Sequence, residues 1–351
     1  MRALYSNNRG EMYLKEAPEP TLQGSGVVIK TLASVFGAGS EMAGVGRRRK
    51  AIEEGRDPGP FTEKAHSYQS AGEILQVSPD LQDRFQPGEL VAAAGGGFGF
   101  HAEQGFVWKH SFAKIPDGLS PLEAATTNVG LTAFHAMRRA VLQPGETAVV
   151  LGLGMVGQIT SQLVGMVGGQ VIGVDLHKYR LAKARELGAA ATASGTDDEV
   201  AAAVDEFTAG RGADAVFIAT SARIRGPASL AVRLVREGGR LLFIGRVIWD
   251  FTPTHPDADP HTKEINIHWV NGRGPGSRER DYLRGETDYP DRFVRWDQEQ
   301  NLQALLALQA DGKVRVAPLL THRFPFDQAP EAAEVAINLP AEALGVALEY
   351  N

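Results

Sequence analysis

The residues Gly152-Leu153-Gly154-Met155-Val156-Gly157 follow the apolar run that ends at Leu151 and precede Gln158 to Val167, a stretch of helical composition. Glycines at this spacing between a strand and a helix suit a dinucleotide. The first permits a tight turn, the second lets a pyrophosphate approach the backbone, and the third lets the helix pack on the strand. The phosphates belong at the helix N-terminus, where free N–H groups and the helix dipole attract anions. Such a turn is weak evidence alone, but a second apolar run, Val171-Ile172-Gly173-Val174, ends in Asp175. A carboxylate at that distance accepts hydrogen bonds from the adenosine ribose hydroxyls. Asp175 repels a ribose 2′-phosphate and so argues for NAD over NADP. His177, Lys178 and Arg180 follow closely and either offset that repulsion or serve only as charges on a helix start. Thr220, in Ala219-Thr220-Ser221, and Gly245 and Arg246 close later strand-like runs. They are read as further cofactor contacts, with simple turn chemistry as the alternative.

The elements that must position these residues change character along the chain. Gly26 to Leu32, Ala71 to Val77, Glu89 to Ala94 and Gly105 to Trp108 read as short strands between Gly, Pro and Asp clusters. From about Asn128 strands alternate with helices. Apolar runs Ala148 to Gly152, Gln170 to Val174, Ala215 to Ala219 and Arg240 to Gly245 are separated by helical segments Gly157 to Val167, Tyr179 to Leu187 and Pro227 to Val235. This predicts an α/β protein with a doubly wound parallel sheet and a separate β-rich part. The boundaries expected are 1–127 with 273–351 for the β-rich domain and 128–272 for the nucleotide-binding domain. The tail, with a helix expected from Gln298 to Ala310 and a segment Leu319 to Phe326, returns to complete the first domain. The basic run Arg47-Arg48-Arg49-Lys50 is read as a solvated helix or loop face.

Composition narrows the class. The 351 residues are 43% hydrophobic and 22% charged, as in ordinary globular chains, and suffice for two domains. A net charge of -6 disfavours nucleic acid as a partner. No apolar run spans a bilayer and the polar start is not a secretory signal, so no membrane partner and a cytoplasmic location are expected. Cysteine is absent, which removes disulfides, thiolate nucleophiles and sulfur-bound zinc.

The order of β-rich segment, dinucleotide turn and short return tail resembles the medium-chain dehydrogenase/reductase superfamily, which is alcohol dehydrogenase-like. The resemblance covers nearly the whole chain, including Phe85-Gln86-Pro87-Gly88-Glu89-Leu90-Val91 and Leu320-Thr321-His322-Arg323-Phe324-Pro325-Phe326. It implies a GroES-like catalytic domain beside a Rossmann domain, a small-molecule alcohol or carbonyl substrate, and a homodimer through the edge strand Ile265 to Val270. In zinc-bearing members the metal is held by a Cys two residues before a Ser or Thr, a His in a Gly-His-Glu turn, and a Cys or Glu before the Rossmann unit. Gly37-Ala38-Gly39-Ser40-Glu41 keeps the hydroxyl at Ser40 and has Ala38 at the Cys. Ser67-Tyr68-Gln69-Ser70-Ala71-Gly72-Glu73 has Tyr68 at the His, and Asn128 falls at the third ligand. The family's structural zinc lobe is replaced by Ala94-Gly95-Gly96-Gly97-Phe98-Gly99-Phe100. The chain is thus similar to a zinc-independent member, with no metal expected. Gly274-Pro275-Gly276, Asp288-Tyr289-Pro290 and Val294-Arg295-Trp296 are similar to the dehydrogenase half of bi-domain oxidoreductases, whose second half is not expected in this chain.

With no metal, the protein must bind the substrate oxygen and move its proton by itself. Ser40 occupies the family's proton-relay position and Tyr68 faces the same cavity. Each is a candidate for direct participation, against a turn cap and a cavity wall. Thr132 matches a position beside the nicotinamide, or bonds its own helix. Asn128 and Arg273 are read as substrate-binding, Arg273 toward an anionic or polyhydroxylated compound. His101, His135 and His322 are weaker acid/base candidates. The leading expectation is NAD(H)-dependent interconversion of a secondary alcohol, on a polyol, sugar or related ring, with its ketone. The alternatives are an NADPH-dependent enone or quinone reductase and a non-catalytic NAD-binding protein.

Overall fold

In the computed structural model the chain divides into two compact units. The structure describes residues 1–95, 97, 99–220, 226–248, 255, 258–290 and 292–351. Gly96, Phe98 and Ser221, named above, lie outside the described residues. The first unit comprises Met1–Leu131, Arg273–Gly312 and Val316–Asn351, the second Thr132–Gly272 and Lys313–Arg315.

The first unit is built on mainly antiparallel strands, with one parallel pair, Leu320–Pro325 and Gly345–Glu349. One sheet runs in the order Leu320–Pro325, Gly345–Glu349, Gly26–Val35, Gln69–Val77, Leu90–Ala94 and Phe112–Lys114, with Gln104–Trp108 also paired to Gly26–Val35. The long central strands alternate inward-facing Val27, Ile29 and Ile74 with their neighbours, and these close on Val91, Val107 and Phe112 in one core cluster. The late strand Gly345–Glu349 pairs with Val35, Ser34 and Ala33, so the C-terminal segment is stitched into the early sheet. A smaller sheet joins Met12–Glu16, Arg2–Asn7 and Glu63–Ala65. Of the basic run, Arg47 and Lys50 are exposed on a helix face as expected, whereas Arg48 and Arg49 are not left to solvent. Within the helix Ala43–Glu53, Arg49 makes a paired contact with Glu334 at 2.6 Å through Nη1 and Nη2, and Arg48 donates to the Asn7 carbonyl. Their charges are engaged in holding the unit together.

The second unit is a six-stranded parallel sheet in the order Ala191–Ala193, Gln170–Val174, Thr147–Leu151, Ala213–Ile218, Val235–Phe243 and Asn266–Trp269. This is the doubly wound order in which dinucleotides bind at the point where the strand sequence reverses. Alternate residues of the central strand feed separate cores: Val149 and Leu151 join one cluster, Ala148 and Val150 another. Both faces are therefore covered by helices, as a parallel sheet requires. The expected helix Pro227 to Val235 ends at Leu234, and the strand starts at Val235, which pairs with Ala213 before a register shift. The glycine pair Gly238-Gly239, with Gly238 at φ 66°, lets the strand bend there, which an apolar count alone misses. Among the described residues no helix is long and apolar enough to cross a membrane.

Candidate active site

The glycine turn of the second unit assigns a separate task to each glycine. Gly152 sits at φ 92°, where a Cβ would lie 2.9 Å from the Thr220 nitrogen. Gly154 caps the helix Met155–Met166 in extended conformation, and a Cβ there would meet nothing within 4 Å. That open face is what a pyrophosphate needs to reach the helix N–H groups. A Cβ on Gly157 would sit 1.9 Å from the Gly152 carbonyl oxygen, so the closing contact of helix on strand excludes every other residue. Leu153 and Met155 are buried and anchor the turn from below, with Val156 half-buried beside them. Asp175 follows the strand Gln170–Val174. One of its carboxylate oxygens accepts from the Leu153 N–H at 2.7 Å and the other from the His177 N–H at 2.9 Å. Arg180 comes within 3.5 Å of the same carboxylate. Ala219 donates to the Leu151 carbonyl, which leaves Thr220 at the carboxyl edge of the sheet, and Gly245 donates to the Ile218 carbonyl, with Arg246 exposed next to it. The expected cofactor residues are thus gathered at one sheet edge.

In the first unit Ser40, Tyr68, Asn128 and Arg273 form a single hydrogen-bonded chain. Ser40 is exposed on a short π-helical turn, Ala38–Met42, and its hydroxyl bonds to that of Tyr68. The Tyr68 ring lies flat against Gly37, where a Cβ would stand 2.6 Å from a ring carbon. Asn128 bonds to the Tyr68 hydroxyl from the other side. Its Oδ1 accepts from Arg273 Nη1 at 2.8 Å, so the amide N–H faces the phenol as donor. Burial raises the Tyr68 pKa above its ordinary value; the bonds from Ser40 and Asn128 and the charge of Arg273 oppose the rise, while Glu41 adds to it. Tyr68 is thus a half-buried phenol under two opposing charges.

The supporting contacts explain why these four meet. Gln69, the residue after Tyr68, accepts the N–H groups of Asn128 and Val129 on its side-chain oxygen at 2.8 and 3.1 Å, which caps the start of the helix Thr127–Ala140. Arg273 donates Nε to Gln298 Oε1 at 2.7 Å and Nη2 to the Ser277 carbonyl at 3.0 Å. Gln298, fully buried, also donates to the His110 carbonyl and, through its backbone N–H, to Pro275. The turn carrying Arg273 is pressed down at Gly276, where a Cβ would fall 2.3 Å from Tyr282, itself stacked 4.1 Å from His110. Gly95, at φ 121°, lies directly under the guanidinium, with 2.8 Å from its would-be Cβ to Nη1. Gly95 therefore makes room for an arginine.

Beneath Ser40 lies a buried polar network that residue spacing does not announce. Glu41 is held between His66 Nδ1 at 3.0 Å and His101 Nε2 at 3.3 Å, and accepts the Gly37 N–H at 3.1 Å. His66 continues to Ser6 at 2.8 Å; His101 continues to Ser34 at 2.8 Å, which meets Tyr350 at 2.9 Å. Burial pushes the Glu41 carboxyl up, but attraction to and hydrogen bonds from His101 and His66 outweigh it and hold the group at about 2. The carboxylate stands between the two rings, so these three do not converge on a point, and among the described residues no group of three or more His, Cys, Asp or Glu could hold a metal. His101, a weak acid/base candidate from sequence, is fully buried in this network, and sequence reasoning misses His66 and Glu41 altogether. Only the adjacency of Glu41 to Ser40 could have flagged them. Thr132 belongs to the second unit and is half-buried in its helix. His135 lies in the same helix, its pKa lowered to about 4 by burial and by Arg139 and Arg138. His322 sits on the strand Leu320–Pro325, its ring 3.0 Å from the Thr321 hydroxyl and away from this cluster.

Residues 155–281 match the family of zinc-binding dehydrogenases. That match covers about a third of the chain and falls mainly on the second unit. The chain is 32% identical over 138 residues to the uncharacterized zinc-type alcohol dehydrogenase-like protein YdjJ of Escherichia coli, a match that spans 39% of each chain. Over their full lengths it is similar to the alcohol dehydrogenase TADH from Thermus sp. ATN1, with TM-score 0.75 at 22% identity and 100% of both chains covered. It is likewise similar to galactitol-1-phosphate dehydrogenase from Escherichia coli, with TM-score 0.76 at 18% identity, covering 99% of this chain and 100% of that one. At these identities the structural likeness speaks for the fold.

Proposed function

We propose that this chain is a medium-chain dehydrogenase/reductase, an NAD(H)-dependent oxidoreductase that interconverts a secondary alcohol, on a polyol, sugar or related ring, with its ketone and uses no zinc. The observation that carries the reading is the chain Arg273, Asn128, Tyr68, Ser40, in which an amide donor and a fixed positive charge both favour an ionised phenol. The Gly152 to Gly157 turn would hold the pyrophosphate, Asp175 the adenosine ribose, and Thr220, Gly245 and Arg246 the edge beyond it; Thr132 is proposed to contact the carboxamide. When bound, the nicotinamide supplies the hydride acceptor or donor.

In the oxidative direction Tyr68, as phenolate, takes the alcohol O–H proton while the C–H electron pair departs as hydride and the C=O bond forms. Asn128 donates to the phenolate oxygen and Arg273 lowers the cost of its charge. In reduction the Tyr68 hydroxyl returns the proton to the developing alkoxide, and Ser40 orients the hydroxyl. The donor set speaks against zinc here: Ala38 has no ligand atom, Tyr68 and Asn128 are bound to each other, and the nearest cation, Arg273, would repel a divalent ion. Hydroxyl and amide donors polarise a carbonyl less than a metal does, which suits an activated substrate.

The test is Tyr68→Phe assayed with NAD⁺ across sorbitol, galactitol, myo-inositol and 2,3-butanediol. We expect kcat/KM to fall about 100-fold or more, as for loss of a general base, with NADH binding unchanged. Unaltered turnover would refute the assignment. One observation favours the reductase reading instead: Arg180 lies within 3.5 Å of Asp175 and tempers its repulsion of a 2′-phosphate. Tighter binding of NADPH than NADH in a fluorescence titration, with turnover of a quinone and of no alcohol, would decide for it. A dimer through the exposed edge strand Asn266–Trp269 is also proposed.

A further inference from the structure

Arg273 is a half-buried cation whose hydrogen-bond partners are all neutral: Gln298, Asn128 and the Ser277 carbonyl. Among the described residues it has no carboxylate partner. Three of a guanidinium's five N–H donors are accounted for in this way, and two are left. Burial pulls its pKa down to about 10, Tyr68 pulls the other way, and the nearby Arg278 lowers it again. Arg278 is exposed and likewise has no ion pair or hydrogen-bond partner among the described residues. Two cations on one turn, Arg273-Gly274-Pro275-Gly276-Ser277-Arg278, therefore repel one another in a chain that carries 42 acidic against 36 basic side chains. Elsewhere in this unit partly or well exposed arginines are matched by carboxylates: Arg2 by Glu103 and Asp327, Arg49 by Glu334, Arg84 by Glu299. Holding an unmatched charge away from water is costly, and an anion would relieve both the desolvation and the repulsion.

We infer that the Arg273–Arg278 turn is the recognition site for an anionic oxygen group of the substrate, a phosphate or a carboxylate. This rests on the dehydrogenase reading above and narrows it from neutral polyols to phosphorylated polyols or hydroxy acids. The position fits, since a single asparagine side chain separates the guanidinium of Arg273 from the Tyr68 hydroxyl. An anion there sits a few bonds from the alcohol whose proton Tyr68 takes. Arg273 offers its planar donors for oxygen pairs, and Arg278, exposed, adds longer-range attraction. The built form of the turn supports a binding role: Gly95 clears the space under the guanidinium, Tyr282 pins Gly276, and Gln298 fixes the Nε edge.

The test uses full-length protein saturated with NADH, so that the anion site at the glycine turn is filled. Inorganic phosphate and acetate are titrated calorimetrically at low ionic strength into wild type, Arg273→Gln and Arg278→Gln. We expect saturable binding of at least one anion, weakened at least tenfold by Arg273→Gln and severalfold by Arg278→Gln; preference between the two anions separates phosphate from carboxylate. Absence of binding to wild type, or binding that both variants retain, overturns the inference. Arg278→Gln replaces an exposed side chain, so it stays informative if Arg273→Gln disturbs the fold. In a second arm, turnover of sorbitol, sorbitol 6-phosphate and gluconate with NAD⁺ is compared. Turnover of sorbitol alone overturns the anion site and leaves the dehydrogenase reading standing, whereas anion binding without turnover of any of the three does the reverse.

Discussion

Tyr68 sits where two fixed charges pull in opposite directions, and this makes its role measurable. Oxidation needs the phenolate, so the rate in that direction rises with pH as Tyr68 ionises, and burial places that rise above the ordinary phenol range. Removing the Arg273 charge takes away an influence that lowers the pKa; removing the Glu41 charge takes away one that raises it. Arg273→Gln should therefore move the alkaline limb of kcat to higher pH and Glu41→Gln should move it to lower pH. On the acid side of the limb, displacing it by about one pH unit changes the rate about tenfold. A pH profile of kcat for the three proteins checks this, and two variants moving the limb the same way would contradict the arrangement. A purely structural role for Arg273 would lower stability without displacing the limb.

At the scale of elements, the contact that most constrains the nucleotide site is the crossing of Gly157 over the Gly152 carbonyl. Gly157→Ala forces the helix Met155–Met166 off its strand. We expect a stability loss of about 1–3 kcal/mol, as for overpacked cores, together with at least tenfold weaker NADH binding, read by thermal unfolding and titration. Gly154→Ala meets no neighbour, so it should leave stability near wild type and weaken only the nucleotide. This turn was legible from sequence because its chemistry is local: strand, glycines, helix and acid follow one another within one supersecondary unit. The parallel sheet was legible for the same reason, through the alternation of apolar runs with helices. The polar cluster was harder. Ser40, Tyr68, Asn128 and Arg273 could be singled out by resemblance, but nothing in their spacing says that they bond in series. Arg273 and Asn128 are 145 positions apart, and Gln298, which holds Arg273, reads as an ordinary helix start. His66 and Glu41 escaped because a buried network is a property of strand pairing and packing, which one-dimensional patterns do not display.

For the whole molecule the absence of cysteine and the makeup of the Tyr68 site lead to one expectation about composition. Purified protein should contain well below one zinc per chain by elemental analysis, and EDTA should leave both melting temperature and turnover unchanged, where a zinc-held fold would lose stability. Stoichiometric zinc whose removal abolishes turnover would overturn the proposed mechanism. The two units are a mainly antiparallel sheet that takes in the late strand Gly345–Glu349 and a sheet of six parallel strands.

The glycine under the arginine has a bearing on descent. With Gly95 at φ 121° and its face against the Arg273 guanidinium, neither position can change freely while the other stays. A lineage that gains a side chain at 95 must first shed or redirect the arginine, and one that loses the arginine is released from the glycine only as far as its backbone angle allows. The two positions are thus expected to be inherited as a pair, and related sequences that carry both would mark out the branch that shares this substrate chemistry.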